Sequence, residues 1–398
     1  MGLDQKQQTT MRITLFSHLD ALRPFADDWD HLAAGNPFRS WTWNSAWWEA
    51  YGNQGPKDKQ RLWTIGVLDH QNRLRGLAPW YQYSSATKGT VVSFLGSGDV
   101  CSEYQGIMAA PGDETAVIDL ITDFLLDPTS GTTSGMPESY RRRWGRWDLL
   151  HFDGINNEDP LMNRFAERIQ EESSLRFKRR TGMPCWRMEF TSDEETFLTS
   201  KSKSFRRRFR RYRKEFLETE AFRMKLPENV EELDIHHNAL IDLHQRRRQS
   251  LGESGCYASS RFKEFHQNVL PALFRMGQAT IPILFHNDTP IAASYQLLGN
   301  GIIYAYQCGI DPEYSEWRPG DLFHGEQVHR YIKQGVLALD FLRGDETYKQ
   351  RWQAGPRVTS IWYVAAPHWS ARCRDLFRRV GEEAKAVAKQ KLRLIRSK

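Results

Sequence analysis

The clearest alternation of apolar and polar segments lies in the second half of the chain. Three apolar segments, ATIPILFH, PIAASYQLL and IIYAYQCGI, are separated by the turn sequences ND and GNG. Segments of this length joined by tight turns predict three successive antiparallel strands. The segment DLFHGEQVHRYIKQ has helical spacing and stops at Gly335, so we expect a helix from about Asp321 to Gln334. LALDFL would then form a strand parallel to its predecessor, and TSIWYVAA predicts one more strand.

The first half shows a similar order of patterns. RLWTIGVLDH, RLRGLAPWYQYS and TVVSFLG resemble a strand meander, TAVIDLITDFLL is apolar at helical spacing, and WDLLHF reads as the next strand. One order that recurs in both halves indicates a duplicated unit, with a boundary near residues 191–200. We therefore expect two domains, 1–195 and 196–398, and an exposed loop over residues 130–146 inside the first.

Length and composition agree with two globular domains. The chain has 398 residues, enough for two cores of ordinary size, and 40% of them are hydrophobic. It has no apolar run of the roughly 20 residues that span a bilayer, and MGLDQKQQTT lacks the apolar core of a secretory signal. We therefore expect a cytoplasmic protein without a transmembrane segment. Five scattered cysteines without a C-x-x-C pair predict reduced thiols.

Positive charge is concentrated in the segment KSKSFRRRFRRYRK, residues 201–214. It holds nine basic residues and no acidic one, whereas the whole chain has a net charge of +6. Phe205, Phe209, Tyr212 and Phe216 recur at helical spacing, so residues 201–217 predict an amphipathic helix that docks by its aromatic stripe. Its basic flanks would be free to contact phosphates. Residues 370–398 are similarly basic and amphipathic, which indicates a solvated surface helix or, alternatively, peripheral contact with a membrane surface.

Several of these segments together resemble a known family. PIAASYQLL, YAYQCGIDPEY, RPGDLF and especially LALDFLRGDETYKQRW are similar to the second half of the CelD/BcsL-type acetyltransferases, a GNAT branch linked to extracellular polysaccharide synthesis. The chain also resembles the Fem-type aminoacyl transferases, which share a doubled GNAT fold. The resemblance implies an α/β (α+β) fold of two tandem GNAT-like domains, each a mixed, mostly antiparallel sheet flanked by helices, the first degenerate. It also implies an acyl thioester donor and an amine or hydroxyl acceptor.

The donor site implied by the resemblance is the start of the helix after the third strand. GNAT enzymes usually carry a Gln/Arg-x-x-Gly-x-Gly/Ala phosphate loop, where this chain has Arg318, Pro319, Gly320 and Asp321. A helix start offers N–H groups to a pyrophosphate, here from Asp321 and Leu322, and Gly320 permits close approach. Arg318 is the expected phosphate contact. Asp321 could equally be only an N-cap, which needs no ligand.

The acceptor site is expected at the end of the strand LALDFL. Side chains at strand ends of α/β sheets reach into the crevice, which makes Asp345 a candidate base and Arg343 a candidate anion clamp. An ion pair that only fixes the loop is the alternative. Lys349 and Trp352 follow as substrate contacts, the Trp352 ring also being a candidate packing residue. A helix in LHQRRR carries His244, either an acceptor contact or a surface histidine.

Thioester transfer needs an acid for the departing thiolate, and a tyrosine hydroxyl can serve. Three candidates follow from the sequence, and it does not choose among them: Tyr304, Tyr306 and Tyr348. The histidine spacing matches no compact ligand motif, so no metal is expected.

The resemblance implies an N- or O-acetyltransferase that uses acetyl-CoA or another acyl-CoA, in cell-envelope or exopolysaccharide synthesis. The acceptor would be a small molecule or a glycan- or lipid-linked intermediate. Two alternatives stay open. One is a Fem-like transferase with an aminoacyl-tRNA donor, because the basic helix would suit a tRNA. The other is a non-catalytic basic module that binds nucleic acid or anionic lipid.

Overall fold

The computed structural model of the chain describes residues 11–52, 60–128, 145–218 and 220–381. Within these ranges, helices flank three sheets in which most neighbouring strands are antiparallel. The expected α/β (α+β) class with two similar units is confirmed. Most of the predicted loop 130–146 lies outside the described residues, as does the end of the basic C-terminal segment, whose described part is helical over 369–381. Among the described helices, none is long and apolar enough to cross a membrane.

Among its described residues, the first unit contains two sheets and five α-helices. The strands of one sheet are β1 Arg12–Phe16, β3 Thr64–Leu68, β4 Leu74–Ala78 and β7 Met108–Ala109, and those of the other are β2 Gln60–Leu62, β5 Trp80–Ser85, β6 Gly89–Phe94, β8 Leu149–Asn156 and β9 Arg176–Thr181. The helices are α1 Leu19–Leu22, α2 Ala26–Ala33, α3 Trp41–Tyr51, α4 Glu114–Leu126 and α5 Pro160–Glu171. The start of α5 follows helix-capping rules, since Asp159 accepts from two amides of its first turn and Pro160 is the first helical residue.

The second unit is built on one long sheet. Its strands are β10 Cys185–Glu189, β11 Phe222–Lys225, β12 Ala279–Thr280, β13 Ile283–His286, β14 Thr289–Gly299, β15 Ile302–Ile310, β16 Ala338–Arg343 and β17 Gly355–Arg357. Its helices are α6 Glu194–Thr199, α7 Lys203–Glu218, α8 Val230–Ser250, α9 Ser260–Arg275, α10 Pro319–Lys333 and α11 Thr347–Arg351. The basic helix and the helix after the meander therefore form where predicted, within two residues at each end.

The same crossover occurs in both units. In the second unit α10 leads from β15 to β16, which pair in parallel as predicted. In the first unit α4 leads from β6 to β8, and these strands are also parallel. α10 ends at Lys333 and is followed by Gly335, whose φ of +72° suits glycine; the Val336 amide closes the helix end by bonding to the Tyr331 carbonyl at 3.0 Å.

The two units exchange strands, which the sequence did not indicate. The last strand of the chain, β18 Thr359–Ala365, lies in the sheet of the first unit between β8 and β9. In return, β10 lies in the sheet of the second unit between β16 and β17. Each unit therefore fills its sheet with a strand from the other. The domain boundary near residue 195 stays a prediction. Each of the two sheets includes a strand from the other side of that boundary, so cutting the chain there would leave both sheets incomplete.

Buried ion pairs join the units where this exchange occurs. Asp340, on β16, is fully buried and accepts from the Tyr104 hydroxyl at 2.7 Å and from Arg187 Nε at 2.9 Å. Arg343, at the end of the same strand, forms an ion pair with the buried Glu103 of the first unit. Removing one member would leave a buried charge without its partner, which is strongly destabilising. The relative position of the two units is therefore fixed by charge as well as by strand pairing.

Candidate active site

β15 and β16 diverge partway along their length, and we call the gap between their diverging ends the cleft. The two strands pair only from Ile302 to Tyr304 on β15, opposite residues 338–340, although β15 continues to Ile310. The register of β15 against β14 also shifts at Tyr306, which opposes no residue of β14, as in a β-bulge. The diverging part of β15 is therefore free to face a ligand, and the residues around it define the candidate site.

One wall of the cleft is polar although it is buried. Gln296 of β14 accepts a hydrogen bond from the Tyr331 hydroxyl at 2.6 Å. Three other atoms of this wall are buried without a hydrogen-bond partner among the described residues, namely Gln296 Nε2, Gln327 Nε2 and His324 Nδ1. An unpaired buried polar atom costs about 1–3 kcal/mol. Three of them on one side of a cleft indicate groups that bind a ligand or ordered water.

A thiol and a phenol lie beside this wall. The Cys308 side chain is exposed to solvent, yet burial raises the pKa of its thiol. Cys308 can be both in contact with solvent and surrounded by protein atoms, because it lies between the diverging strands. The Tyr348 ring stacks on His324 with 5.8 Å between ring centroids, and its hydroxyl has no hydrogen-bond partner among the described residues. Burial raises the pKa of Tyr348, and the nearby Cys308 and Glu346 add to the effect.

The loop after β16 is held in place by a buried lysine. Lys349 is 2% exposed, and its Nζ donates to the carbonyls of Leu342 at 3.2 Å and Arg343 at 2.7 Å. It also forms an ion pair with Glu346 at 2.9 Å, which lowers the pKa of Glu346 although burial alone would raise it. Asp345 is exposed on this loop and has no partner among the described residues. Lys349 therefore supports the loop, and Asp345 is free to meet an acceptor.

Arg343 is committed to the junction between the units. Burial by itself would lower the pKa of its guanidinium, but the ion pair with Glu103 raises it. A second carboxylate, Asp153, lies 3.2 Å away. Arg343 thus shares its charge between two acidic groups of the first unit. The alternative to an anion clamp was a structural ion pair between Arg343 and Asp345. Arg343 does form structural ion pairs, but with Glu103 and Asp153.

The start of α10 differs from the sequence interpretation. The N-cap is Arg318, with a φ of +51° and no side-chain cap, because the helix begins at Pro319 rather than Asp321. The N-cap role for Asp321 is therefore wrong: its carboxylate accepts from the Tyr212 hydroxyl at 2.8 Å and lies 3.2 Å from Arg351. Pro319 has no amide hydrogen, and the amides of Asp321 and residue 322 bond to the Arg318 carbonyl.

These bonds reduce what α10 can offer a phosphate. Among the first four helical residues only Gly320 keeps an amide without a partner. A Cβ built at Gly320 would meet only Ile310, at 3.8 Å, so the space in front of it is open. Leu322 is 1% exposed and its side chain belongs to the core. Arg318 is exposed beside this helix end, where its guanidinium also hydrogen-bonds the Tyr212 side chain.

Tyr304 and Trp352 are buried, whereas Tyr306 is partly buried like Tyr348. The Tyr306 hydroxyl donates to the Val100 carbonyl at 2.6 Å, so it is already committed. Burial raises the pKa of Tyr304 to about 12, and its ring packs on Phe38 at the junction of the two units. Trp352 is 2% exposed and packs on Phe205 of the basic helix. Of the three candidate tyrosines, Tyr306 already donates to a backbone carbonyl and Tyr304 is 3% exposed, whereas Tyr348 is only partly buried and its hydroxyl has no hydrogen-bond partner among the described residues.

His244 lies on the opposite face of β15. It is 2% exposed, its Nδ1 is 3.0 Å from the Cys308 carbonyl, and its Nε2 is 3.4 Å from the Cys256 thiol. Burial lowers the pKa of His244, and the hydrogen bond to the Cys308 carbonyl raises it in part. His244 is therefore neither a surface histidine nor a free acceptor contact. It links the backbone of the cleft to a second cysteine.

The basic helix α7 docks as predicted. Phe205, Phe209 and Tyr212 are buried in the core of the second unit. Several of its cations have local partners, for example Arg213, which pairs with the buried Glu326 of α10. Arg207 and Arg210 are exposed and have no partner among the described residues. The solvent face of α7 therefore carries positive charge that the fold itself does not neutralise.

Comparison with known proteins defines the class of this fold. Residues 203–350 match the family model of the acetyltransferase (GNAT) domain. No curated protein matches the chain. FemX superposes with a TM-score of 0.54 at 8% identity, covering 85% of this chain and 95% of that chain. A conserved protein of unknown function from Bacteroides thetaiotaomicron VPI-5482 superposes with a TM-score of 0.51 at 11% identity, covering 89% of this chain and 99% of that chain. These likenesses show a shared fold.

Several cleft residues were missed from the sequence. His324 and Gln327 lie in a segment that was interpreted only as a helix, and Cys308 and Cys256 were counted only as reduced thiols. The signal was present in one case: DLFHGEQVHRY places His324, Gln327 and Tyr331 three and four residues apart, on one face. A polar stripe on the buried side of a helix is unusual enough to mark a site. No comparable pattern pointed to the cysteines.

Proposed function

We propose that the protein is an acyltransferase that moves an acyl group from a coenzyme A thioester to an amine or hydroxyl, in the cleft between β15 and β16. The observation that carries the proposal is the set of unpaired polar atoms along this cleft, within the segment that matches the GNAT domain. Such atoms are costly in a purely structural core, and they suit the amides of an extended thioester arm.

The residues support a division of labour. Tyr348 would protonate the departing thiolate, because its free hydroxyl faces the cleft and its raised pKa keeps it protonated at neutral pH. Asp345 would orient or deprotonate the acceptor from the exposed loop, and Lys349 would hold that loop in position. Arg318 and the Gly320 amide would contact the phosphates, which is a sparse set of donors for tight binding.

For the acceptor we propose a chemical class and not a particular compound. A glycan- or lipid-linked amine or hydroxyl, as the resemblance to the CelD/BcsL type implies, is our proposal. Location in the cytoplasm and peripheral contact with a membrane through the basic C-terminal segment are proposed with it. No step of the proposal requires a metal, because thioesters react with a positioned nucleophile without Lewis-acid assistance.

A second candidate is an aminoacyl-tRNA donor. It is favoured by the unneutralised Arg207 and Arg210 on α7, whose C-terminal part lies beside the start of α10 through the Tyr212–Asp321 hydrogen bond. Replacing both arginines by glutamine should flatten the salt dependence of tRNA binding, since fewer counterions are released. Arg23→Gln with Lys263→Gln, two exposed cations elsewhere, is the matched control.

The donor can be tested by thermal unfolding with acetyl-CoA, with free coenzyme A and with aminoacylated tRNA. A ligand at 100 times its Kd stabilises by about 2.7 kcal/mol, which is readily seen as a rise in Tm. We expect a rise with acetyl-CoA. A rise with aminoacyl-tRNA alone would transfer the proposal to the second candidate. No rise with either donor at saturating concentration would contradict both.

A further inference from the structure

A second thiol approaches the cleft from the other face of β15. Cys256 follows α8 through a tight turn, in which Gln245 Nε2 donates to the Ser254 carbonyl at 2.9 Å. Gly255 has a φ of +73°, and any Cβ there would collide with the Gln245 side chain. The turn therefore requires glycine directly before the cysteine. It brings Cys256 back over α8 and leaves its thiol half-buried rather than sealed in the core.

The hydrogen bonds of His244 determine which of its nitrogens is basic. Nδ1 lies 3.0 Å from the Cys308 carbonyl, which can only accept, so Nδ1 carries the proton. Nε2 then presents its lone pair to the Cys256 thiol, 3.4 Å away. Burial lowers the pKa of His244 and so keeps its imidazole neutral. The arrangement therefore contains a thiol (Cys256), a base (His244) and a carbonyl that orients the base (Cys308). The same order of roles defines nucleophile activation in other enzymes.

An independent feature indicates that this thiol faces a binding space. The Tyr51 hydroxyl, contributed by α3 of the first unit, is buried without a hydrogen-bond partner among the described residues. Burial, Asp99 and Cys256 all raise the pKa of Tyr51, against the effect of Arg261, so the phenol and the thiol share one environment. The Tyr257 hydroxyl, next to Cys256 in sequence, is likewise buried and unpartnered. Two unpaired phenols around one thiol leave donors available for a carbonyl oxygen.

We propose that Cys256 is an acyl-carrying nucleophile and that His244 is its general base. The inference rests on the proposed acyltransferase function. In the first step the Cys256 sulfur attacks the donor carbonyl, the thiol proton passes to His244 Nε2, the carbon–sulfur bond to coenzyme A breaks, and Tyr348 protonates the departing coenzyme A thiolate. In the second step the acceptor amine or hydroxyl attacks the acyl group on Cys256, the acceptor's proton restores the Tyr348 hydroxyl, and His244 returns its proton to the departing Cys256 sulfur. No oxidant or other reactant is required.

The environment of Cys256 makes the base necessary. Burial raises the pKa of the thiol to about 11, although Arg248 acts in the opposite direction. A thiol of this kind is almost entirely protonated at pH 7, so it cannot react as a preformed thiolate. Proton removal during attack then has to come from His244. Acylation should therefore depend on His244 much more strongly than it would for an ionised cysteine.

The test is acylation of the protein without an acceptor. The protein is incubated with acetyl-CoA and, separately, with S-acetyl-N-acetylcysteamine, a small thioester that has no nucleotide. Each cysteine is then assayed for acetylation by peptide mass spectrometry. His244→Asn retains a side-chain amide that can donate to the Cys308 carbonyl but offers no ring nitrogen as a base. Cys373→Ser, which alters an exposed thiol of the C-terminal helix, is the matched control.

We expect Cys256 to be acetylated by the small thioester in the unaltered protein and in Cys373→Ser, and about 100-fold more slowly in His244→Asn. Acetylation of Cys256 no faster than that of Cys373, or an unchanged rate in His244→Asn, would overturn the inference. If acetyl-CoA is turned over while Cys256 stays unmodified, transfer is direct, and the proposed function survives without this step. If only the small thioester modifies Cys256, the nucleophile is supported and coenzyme A is excluded as the donor carrier.

Discussion

The crossover helices α4 and α10 occupy corresponding places in the two units, but only α10 buries several polar side chains among its apolar ones. The buried side of α4 is apolar except for Thr122, whose hydroxyl bonds within the helix to the Ile118 carbonyl at 2.8 Å. The buried side of α10 includes Asp321, His324 and Gln327. Buried polar groups are costly, so a fold does not keep them without a reason. Because the two units share one fold, the unit that buries several of them is the better candidate for a binding site. The comparison supports our proposal that the chemistry takes place in the second unit.

The strands beside these helices differ in the same way. In the first unit, Phe94 of β6 and Phe152 of β8 lie two residues beyond the parallel pairing and stack with 4.3 Å between ring centroids. The rings fill the space in which the strands would otherwise separate. In the second unit the corresponding space reaches Cys308, which solvent can contact. Aromatic packing therefore occupies, in the first unit, the place that the cleft takes in the second.

The largest expected effect comes from giving α4 the polarity of α10. Ile121 is fully buried, and Ile121→Gln removes apolar contacts and buries an amide without partners. We expect a loss of about 4 kcal/mol in the free energy of unfolding, measured with urea. Ala116→Gln, at an exposed position of the same helix, is the control and should change stability by less than about 0.5 kcal/mol. Equal losses in the two variants would show that α4 does not discriminate against polar groups.

A second effect follows from the neutral His324 of α10. Burial lowers the pKa of His324 to about 4, although Asp321 acts against this, so the unfolded state binds its proton at higher pH than the folded state. This contribution to stability is complete above about pH 6.5 and is lost as the pH falls towards 4. Over that window the difference in unfolding free energy between His324→Leu and the unaltered protein should grow by up to about 3 kcal/mol. A constant difference would mean that His324 is protonated alike in both states.

A somewhat smaller effect is expected on turnover. Tyr348→Phe removes only the hydroxyl that we assign as acid, so kcat should fall about 100-fold, equivalent to about 2.7 kcal/mol, with little change in donor affinity. The first unit provides the control Tyr363→Phe, which should leave kcat unchanged. Steady-state kinetics with a leaving group of lower pKa should rescue Tyr348→Phe in part. Full activity of this variant would transfer the role of acid to another group.

The reverse exchange in α10 should have the smallest effect on stability. Gln327→Leu replaces a buried amide, one atom of which has no partner, with an apolar side chain of similar size. We expect the unfolding free energy to rise by about 1 kcal/mol while donor binding weakens. A clear loss of stability would show instead that Gln327 is satisfied in the folded protein and belongs to the core.

Local patterns predicted the elements of the fold more fully than they predicted its site. The meander, the parallel β16 and the basic α7 follow from periodicity and turn residues, which act over short distances along the chain. The strand exchange could not be predicted in this way, because β10 and β18 have the same local pattern in either sheet. Only long-range packing decides their partners.

The same limit applies to individual site residues. Asp321 was placed as a cap because Asp favours that position, but Pro319 starts the helix two residues earlier and directs the carboxylate to Tyr212 and Arg351. Cys256 and His244 lie twelve residues apart, at a spacing that matches no motif. Their contact depends on the turn before Gly255 and on the carbonyl of another strand.

The number of acetyl-CoA molecules bound per chain tests the central claim most directly. We predict by isothermal titration calorimetry one site per chain, lost in Cys308→Trp, which fills the open cleft of the second unit, and kept in Tyr83→Trp, on the sheet of the first. Because the Cys308 side chain is exposed, the larger ring should not lower the unfolding midpoint. Two sites per chain, or one site that survives Cys308→Trp, would contradict the assignment of the reaction to the second unit.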